Sequence, residues 1–415
     1  MPAGTADDSG RNQGRTDVIV VGGGPAGSSA AYAAASGGAS VVLFEKEDSI
    51  AQTVRTSGVT WIDEVREFGI PQECYNPISG FSFCSPNNTV SIRGGDEPTA
   101  AVLDVRATYR WLASQAGRAG ARIVTGAAVT GVTRDPGGRI SGVTVARDGR
   151  NTVHKADIII DASGFASIVS RSAGMQWQWD RFGAGAEYEA EAENVDPDTW
   201  WLMVGQRYSP AGYAWIFPVG GKTVRIGVGV GKPESGADPT HILKRLVADR
   251  EGPIADLGDI KVTEFHYGLI PNDGLARKTV YDGLMLVGDS AGQANPLVLE
   301  GIRYAIRFGR LAGSTAASAV LAGDTSSRML LPYEKGWRSA IESRVRSAGR
   351  IQGRWLGLSD DQWDRELDII RGMTPDEFVS FVKAEFGMLD MARMAARRPG
   401  TAARHLFRLV GDRLR

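Results

Sequence analysis

Two sets of residues in this 415-residue chain carry chemistry by their type and spacing. Gly22, Gly24 and Gly27 stand as G-x-G-x-x-G, a pattern in which missing Cβ atoms let a turn approach a pyrophosphate at a helix N-terminus. Glu45 follows where a carboxylate can accept both hydroxyls of a ribose. Tyr213, Trp215 and Phe217 occupy alternate positions of GYAWIFPVGG, so an extended chain turns three rings to one face of a sheet. That row fits two readings, a hydrophobic core or the wall of a site for something flat or apolar.

The elements that must position these groups follow from the pattern. DVIVV, GGGPAG, SSAAYAAASGG and ASVVLFE read as strand, glycine turn, helix and strand, a βαβ unit over 17–45. Residues 46–104 read as an irregular excursion. A helix opens at Arg106, ARIVTGAAVTGVTRD continues as one strand, and DPGGR turns a hairpin before ADIIIDASG. Residues 176–270, rich in β-branched and aromatic side chains with turns about every ten residues, read as an antiparallel sheet. The expected fold is α/β: a discontinuous Rossmann-like domain over 17–175 and 271–325, a sheet domain over 176–270 for substrate, and a helical region over 326–415. Residues 1–16 read as a disordered tail.

Composition narrows the function. With 47 basic and 48 acidic residues there is no overall basic field, so nucleic acid is not an expected partner. Cys74 and Cys84 are too few for a disulfide framework, and with four histidines they form no zinc pattern, so no metal is expected. The polar N-terminus lacks a signal-peptide core, and no apolar run approaches the length of a bilayer span. A cytoplasmic setting is therefore expected. The segment 393–415 combines arginines with apolar residues at helical spacing; it suits peripheral contact with anionic lipid or a solvated helix packed on the second domain.

Further motifs carry a resemblance. DIIIDASGFAS around Asp161 and GLMLVGDSAG around Gly288 and Asp289 resemble the second and third motifs of glutathione-reductase-type flavoproteins related to aromatic hydroxylases. The resemblance implies FAD, with Gly288 and Asp289 on the ribityl chain, Arg106 near the phosphates, and the helix opening at Gly301 and Ile302 aimed at the flavin pyrimidine edge. A helix N-terminus there would stabilise the negative charge of a reduced flavin.

Within that superfamily the chain is similar to the geranylgeranyl reductases over most of 16–320. Tyr213, Trp215, Phe217 and the following Pro218, with Gly227 and Gly229, fit the family's Tyr-x-Trp-x-Phe-Pro and Gly-x-Gly motif. The resemblance implies reduction of isolated double bonds in a prenyl lipid or terpenoid, with NADPH or ferredoxin as electron donor. Tyr213 and Trp215 would then act in catalysis as well as in substrate binding with Phe217, Gly227 and Gly229. The chain departs from the family at Thr56, which stands where a cysteine is common; Thr56, Ser57, Arg55, Tyr213, or Cys74 and Cys84 folding back are candidates in its place. An FAD-dependent monooxygenase or tailoring enzyme acting on a bulky hydrophobic natural product is the alternative.

Overall fold

The computed structural model describes residues 16–95, 97–175 and 179–386; the tail expected over 1–16, Thr16 excepted, and the basic segment 393–415 lie outside these. A parallel sheet runs through the chain's first motif. Thr16–Val21 lies between Val41–Phe44 and Arg150–Asp161, with Arg122–Val124 beyond one neighbour and Leu284–Leu286 beyond the other. The stretches Val18–Val21, Val41–Phe44, Ile158–Ile160 and Leu284–Leu286 of these strands are apolar runs because both faces are covered there. Val18, Val20, Leu43, Ile158 and Ile160 pack on helices, whereas Ile19, Val42, Phe44 and Ile159 pack under the antiparallel strands Ala128–Arg134 and Ile140–Arg147. The single strand expected from Ala121 to Asp135 is two, because Gly126 turns the chain in the left-handed region (φ +62°).

Helix Pro25–Ser36 lies close against the later helix Ile302–Leu321 where small residues face one another. A Cβ on Gly309 would stand 2.4 Å from the Ala26 carbonyl oxygen, and one on Gly313 2.1 Å from that of Ala30. This close approach fixes the N-termini of two helices, nearly 280 residues apart in sequence, at the carboxyl edge of one sheet.

The second sheet has seven strands in the order Ile260–Pro271, Phe182–Ala192, Thr223–Lys232, Gly212–Gly220, Thr199–Val204, Gly80–Ser85 and Asn88–Arg93. Its last two strands come from the excursion, and Gly80–Ser85 pairs parallel with Thr199–Val204. The sheet expected over 176–270 thus extends into 80–93, a long-range pairing that local pattern does not show. Tyr213, Trp215, Phe217, Trp200 and Phe81 share one face, covered by helices Asp360–Ile370 and Pro375–Val382. Ala214, Ile216 and Val228 share the other, covered by helix Pro239–Ala248. Both covering helices on the first face open with capping boxes, Ser359 with Gln362 and Thr374 with Glu377. Among the described residues no helix is long and apolar enough to cross a membrane.

Candidate active site

Val21, Phe44, Asp161 and Leu286 are in register, so the loops after four parallel strands open along one edge, where open α/β sheets bind ligands. Gly22 takes φ +104°, and a Cβ there would strike the Ala162 carbonyl oxygen at 2.4 Å. Gly27 is packed more tightly still, its absent Cβ 1.9 Å from the Gly22 carbonyl oxygen. Gly24 differs: a Cβ there would meet no protein atom within 4 Å. It caps helix Pro25–Ser36 without a side-chain bond and faces a cavity of about 840 Å³, so the space it leaves open is ligand space. Glu45 bounds that space; its Oε2 accepts from the Gly23 N–H at 2.6 Å and its Oε1 from the Glu47 N–H at 2.9 Å.

The other motif residues divide. Asp289 lines the cavity, and burial pushes its carboxyl up to about 6. Gly288, at φ +68°, and Gly301 with Ile302, where the second helix begins, line it too. Glu300 joins them; burial raises its carboxyl, against the nearby charge of Arg303. Asp161 does not face the cavity. It is fully buried, with Oδ1 accepting from Ser163 Oγ at 2.6 Å and Oδ2 from the N–H and Oγ of Ser170, so it shapes the turn that carries Ala162 and Gly164 to the cavity wall. Arg106 is also elsewhere. Its guanidinium pairs with Glu264 at 2.8 Å and reaches the Ala51 carbonyl oxygen, lining a separate cleft with Glu189 and Arg225.

The same cavity continues along the aromatic face of the second sheet. Tyr213, Trp215 and Phe217 line it, with ring centroids 5.8 and 5.9 Å apart and the latter pair stacked at 13°. They are core and wall at once: Phe217 packs on Trp200, and Trp200 on Trp61 and Phe81. The Tyr213 hydroxyl donates to the Val298 carbonyl oxygen at 2.5 Å, tying this strand to the loop before Gly301. Thr56 lines the cavity near the strand Ile260–Pro271, where a Cβ on Gly268 would lie 2.0 Å from the Arg55 carbonyl oxygen. Buried Arg225 donates to the Ser57 carbonyl oxygen at 2.9 Å and holds that loop in place. Cys74 and Cys84 do not fold back to it. Both are buried in other core regions, and burial pushes the Cys84 thiol up to about 12.

Gly229 lines the cavity, whereas Gly227 sits under Trp215. With no Cβ at 227, the indole crosses to the next strand and its Nε1 donates to Glu187 Oε2 at 2.8 Å. Glu187 Oε1 lies 3.0 Å from Nδ1 of His266, its direct cross-strand neighbour. Sequence reasoning missed both, because Glu187, Glu189 and Glu191 alternate as the solvent face of a strand would. It also missed the roof of the cavity, where Trp355, Trp363, Phe378 and Phe381 stand; Trp363, Leu367 and Ile370 at helical spacing were its only trace.

A family model for FAD-dependent oxidoreductases matches residues 17–223, and one for the geranylgeranyl reductase catalytic domain matches residues 183–268. The digeranylgeranylglycerophospholipid reductase of Methanothrix thermoacetophila is 31% identical over 369 residues, 86% of this chain and 92% of its own. That of Methanocaldococcus jannaschii is 33% identical over 332 residues, 78% and 82% of the two chains. Among solved structures, a geranylgeranyl bacteriochlorophyll reductase-like protein of Thermoplasma acidophilum superposes with a TM-score of 0.84 at 24% identity, covering 95% of this chain and 99% of its own. A flavin-dependent brominase shares the fold with a TM-score of 0.64 at 20% identity, covering 89% and 94%.

Proposed function

The chain belongs to the geranylgeranyl and digeranylgeranylglycerophospholipid reductase family of FAD-dependent oxidoreductases, and from that premise we propose that it saturates isolated carbon–carbon double bonds of a polyprenyl lipid. The observation that carries this reading is continuity: one cavity joins the glycine turn and Asp289 to the aromatic wall and its roof. The residues present fit FAD. Gly24 leaves open the space a pyrophosphate needs, and Asp289 lines the cavity with a carboxyl that no cation among the described residues offsets. In this reading Gly22, Gly24 and Gly27 with the helix start receive the pyrophosphate, Glu45 the ribose, Gly288 and Asp289 the ribityl chain, and the N–H groups at Gly301 and Ile302 the pyrimidine edge. Asp161 and Arg106 act one layer out, by holding the Ala162–Gly164 turn and the Ala51 loop.

Reduced FAD supplies hydride. An alkene without a conjugated carbonyl does not accept hydride until it is protonated towards a tertiary cation. Tyr213, Trp215 and Phe217 present ring faces to the chain, each able to stabilise positive charge by about 0.5–2 kcal/mol. The apolar walls and the roof of Trp363 and Phe378 exclude water that would capture such a cation. Burial pushes the Tyr213 hydroxyl pKa up, so it stays protonated and keeps its bond to Val298. A lipid substrate also gives a role to the basic segment 393–415, as a peripheral contact with anionic lipid.

The test is anaerobic incubation of the dithionite-reduced holoenzyme with a digeranylgeranyl glycerophospholipid. Each saturated bond adds two hydrogens to the lipid mass; unchanged mass across several prenyl substrates refutes the reading. Running the assay with NADPH or reduced ferredoxin in place of dithionite identifies the donor, and oxygen incorporated from labelled oxygen gas would select a monooxygenase instead.

A further inference from the structure

The reaction proposed above needs a proton source, and the position where related proteins commonly hold a cysteine is Thr56. One row of cross-strand partners on the cavity face of the second sheet answers this. It reads Phe83, Leu202, Trp215, Gly227, Glu187, His266, passing from apolar to ionisable within one face. Glu187 and His266 both line the cavity, with side chains only 5% and 3% exposed. Burying two such groups costs free energy unless each is partnered, and the partners are specific. Trp215 Nε1 fixes one oxygen of Glu187 and His266 Nδ1 the other. Among the described residues His266 Nε2 has no partner within hydrogen-bond distance, and the nearby carboxylate is that of Glu264, 3.6 Å away and 37% exposed.

We propose that Glu187 is the acid that protonates the prenyl double bond and that His266 returns a proton to it from the Glu264 side. The alkene's π electrons take the proton from the Glu187 carboxyl, forming one C–H bond and leaving a tertiary cation beside the ring of Trp215. The second C–H bond would come from hydride that bound reduced FAD would supply to that cation, a two-electron oxidation of the cofactor that accounts for both hydrogens gained by the lipid. Glu187 is left a carboxylate. His266, carrying its proton at Nδ1, then donates it to Oε1 and takes up a solvent proton at Nε2, and the imidazole returns to its Nδ1–H tautomer by proton exchange with solvent before the next turnover.

The charged groups around the pair suit this cycle. Arg225 lies 3.8 Å from Glu187 but is bound by Glu189 at 2.9 Å, which divides its charge between two carboxylates. Arg106 hydrogen-bonds Glu264 and holds that carboxyl below its usual range, so Glu264 is an anion facing the Nε2 on which His266 takes its proton. Trp215 serves two ends at once, its face lining the cavity and its N–H aiming the acid.

This proposal rests on prenyl reduction, and its test separates the two. Reduced holoenzyme is mixed anaerobically with a digeranylgeranyl glycerophospholipid, and flavin reoxidation is followed in wild type and Glu187→Gln. We expect Glu187→Gln to retain FAD and bind lipid while its first turnover slows about 100-fold, with Glu187→Asp recovering part. A variant within about threefold of wild type overturns the proposal, since an acid catalyst contributes far more than that. Wild-type enzyme that leaves the lipid unreduced overturns the functional reading instead. His266→Gln should slow steady-state turnover more than the first turnover, and equal effects on both remove His266 from the relay. Independently of turnover, a pH-jump infrared difference spectrum of the cofactor-free protein should show a carboxylic-acid C=O band that Glu187→Gln abolishes; an unchanged spectrum counts against a protonated Glu187. If Glu187→Gln does not fold, Trp215→Phe removes the aiming N–H together with part of the ring; loss of ring alone lowers the rate at every pH, whereas loss of the N–H must also move the pH at which the alkene step falls off, and an unmoved profile overturns the proposal.

Discussion

The indole of Trp215 lies flat across Gly227: a Cβ on that glycine would stand 2.2 Å from Cζ2 and 2.3 Å from Cε2. The two residues are direct cross-strand partners, so the glycine is what lets a ring from one strand reach Glu187 on the strand beyond. The Tyr-x-Trp-x-Phe-Pro and Gly-x-Gly segments are thus two halves of one packing unit. Gly227→Ala must displace the ring, and overpacking of this kind costs about 1–3 kcal/mol. Urea unfolding should show that loss, and Trp215→Leu in the same chain should remove most of it, a coupling that a double-mutant cycle measures. Additive effects would mean that the contact is not the reason for the glycine.

Two glycines of the first turn should separate folding from cofactor binding. Gly27→Ala puts a Cβ 1.9 Å from the Gly22 carbonyl oxygen and must distort the turn itself, costing at least about 1–3 kcal/mol in the cofactor-free protein. Gly24→Ala meets no protein atom and loses only a helix-capping preference of below about 1 kcal/mol. Its Cβ enters the ligand space, so FAD affinity should fall about tenfold or more, a step of 1.4 kcal/mol. Thermal unfolding of the apoprotein and titration with FAD read the two effects apart.

What the sequence displayed, it displayed through short-range rules. The glycine turn is a local steric requirement, and the one-sided row of Tyr213, Trp215 and Phe217 follows from a period of two. What it hid depends on partners far along the chain. Arg106 pairs with Glu264 at a separation of 158 residues, so its motif position did not reveal that its charge is engaged. Glu187, Glu189 and Glu191 look alike in sequence, yet side-chain exposure rises from 5% through 21% to 58% along the strand, because only its Glu187 end lies under the cavity. The strands at 80–93 read as part of an irregular excursion for the same reason: their pairing partner begins at Thr199.

Asp289 gives the cofactor-free protein a pH dependence of definite sign. Burial raises its folded-state carboxyl from 3.8 to about 6, so between those values the folded state binds more proton than the unfolded one. Stability therefore falls as pH rises through this window, by at most about 3 kcal/mol, and stays low above it. Asp289→Asn removes the ionisation, so the apo variant should be more stable than wild type at pH 7.5, with the gap closing as pH falls towards 4. Urea unfolding at the two pH values measures it. Tighter FAD binding by the variant would contradict the role given to Asp289 on the ribityl chain.

Arg303 holds the cavity roof to the helix that starts at the cofactor end. It is fully buried and gives Nε to Glu300 at 2.9 Å, Nη1 to Glu385 at 2.8 Å and to Glu64 at 3.4 Å, and Nη2 to the Lys383 carbonyl oxygen at 2.6 Å. Lys383 in turn binds Asp63 at 2.6 Å. Arg303→Leu would leave Glu300 buried with its principal cation gone, whereas Glu64 keeps Arg307 at 2.6 Å. Breaking one side of such a pair costs about 3–5 kcal/mol. The sign of its pH dependence follows from Glu300, whose carboxyl burial already raises and which loses an opposing positive charge in the variant. The added cost should be full at neutral pH and shrink as acid protonates that carboxyl in both folded and unfolded states. Urea unfolding across pH tests this, and limited proteolysis around 383–386 should show the released segment. A deficit independent of pH would mean that packing, and not the stranded carboxylate, is what Arg303 provides.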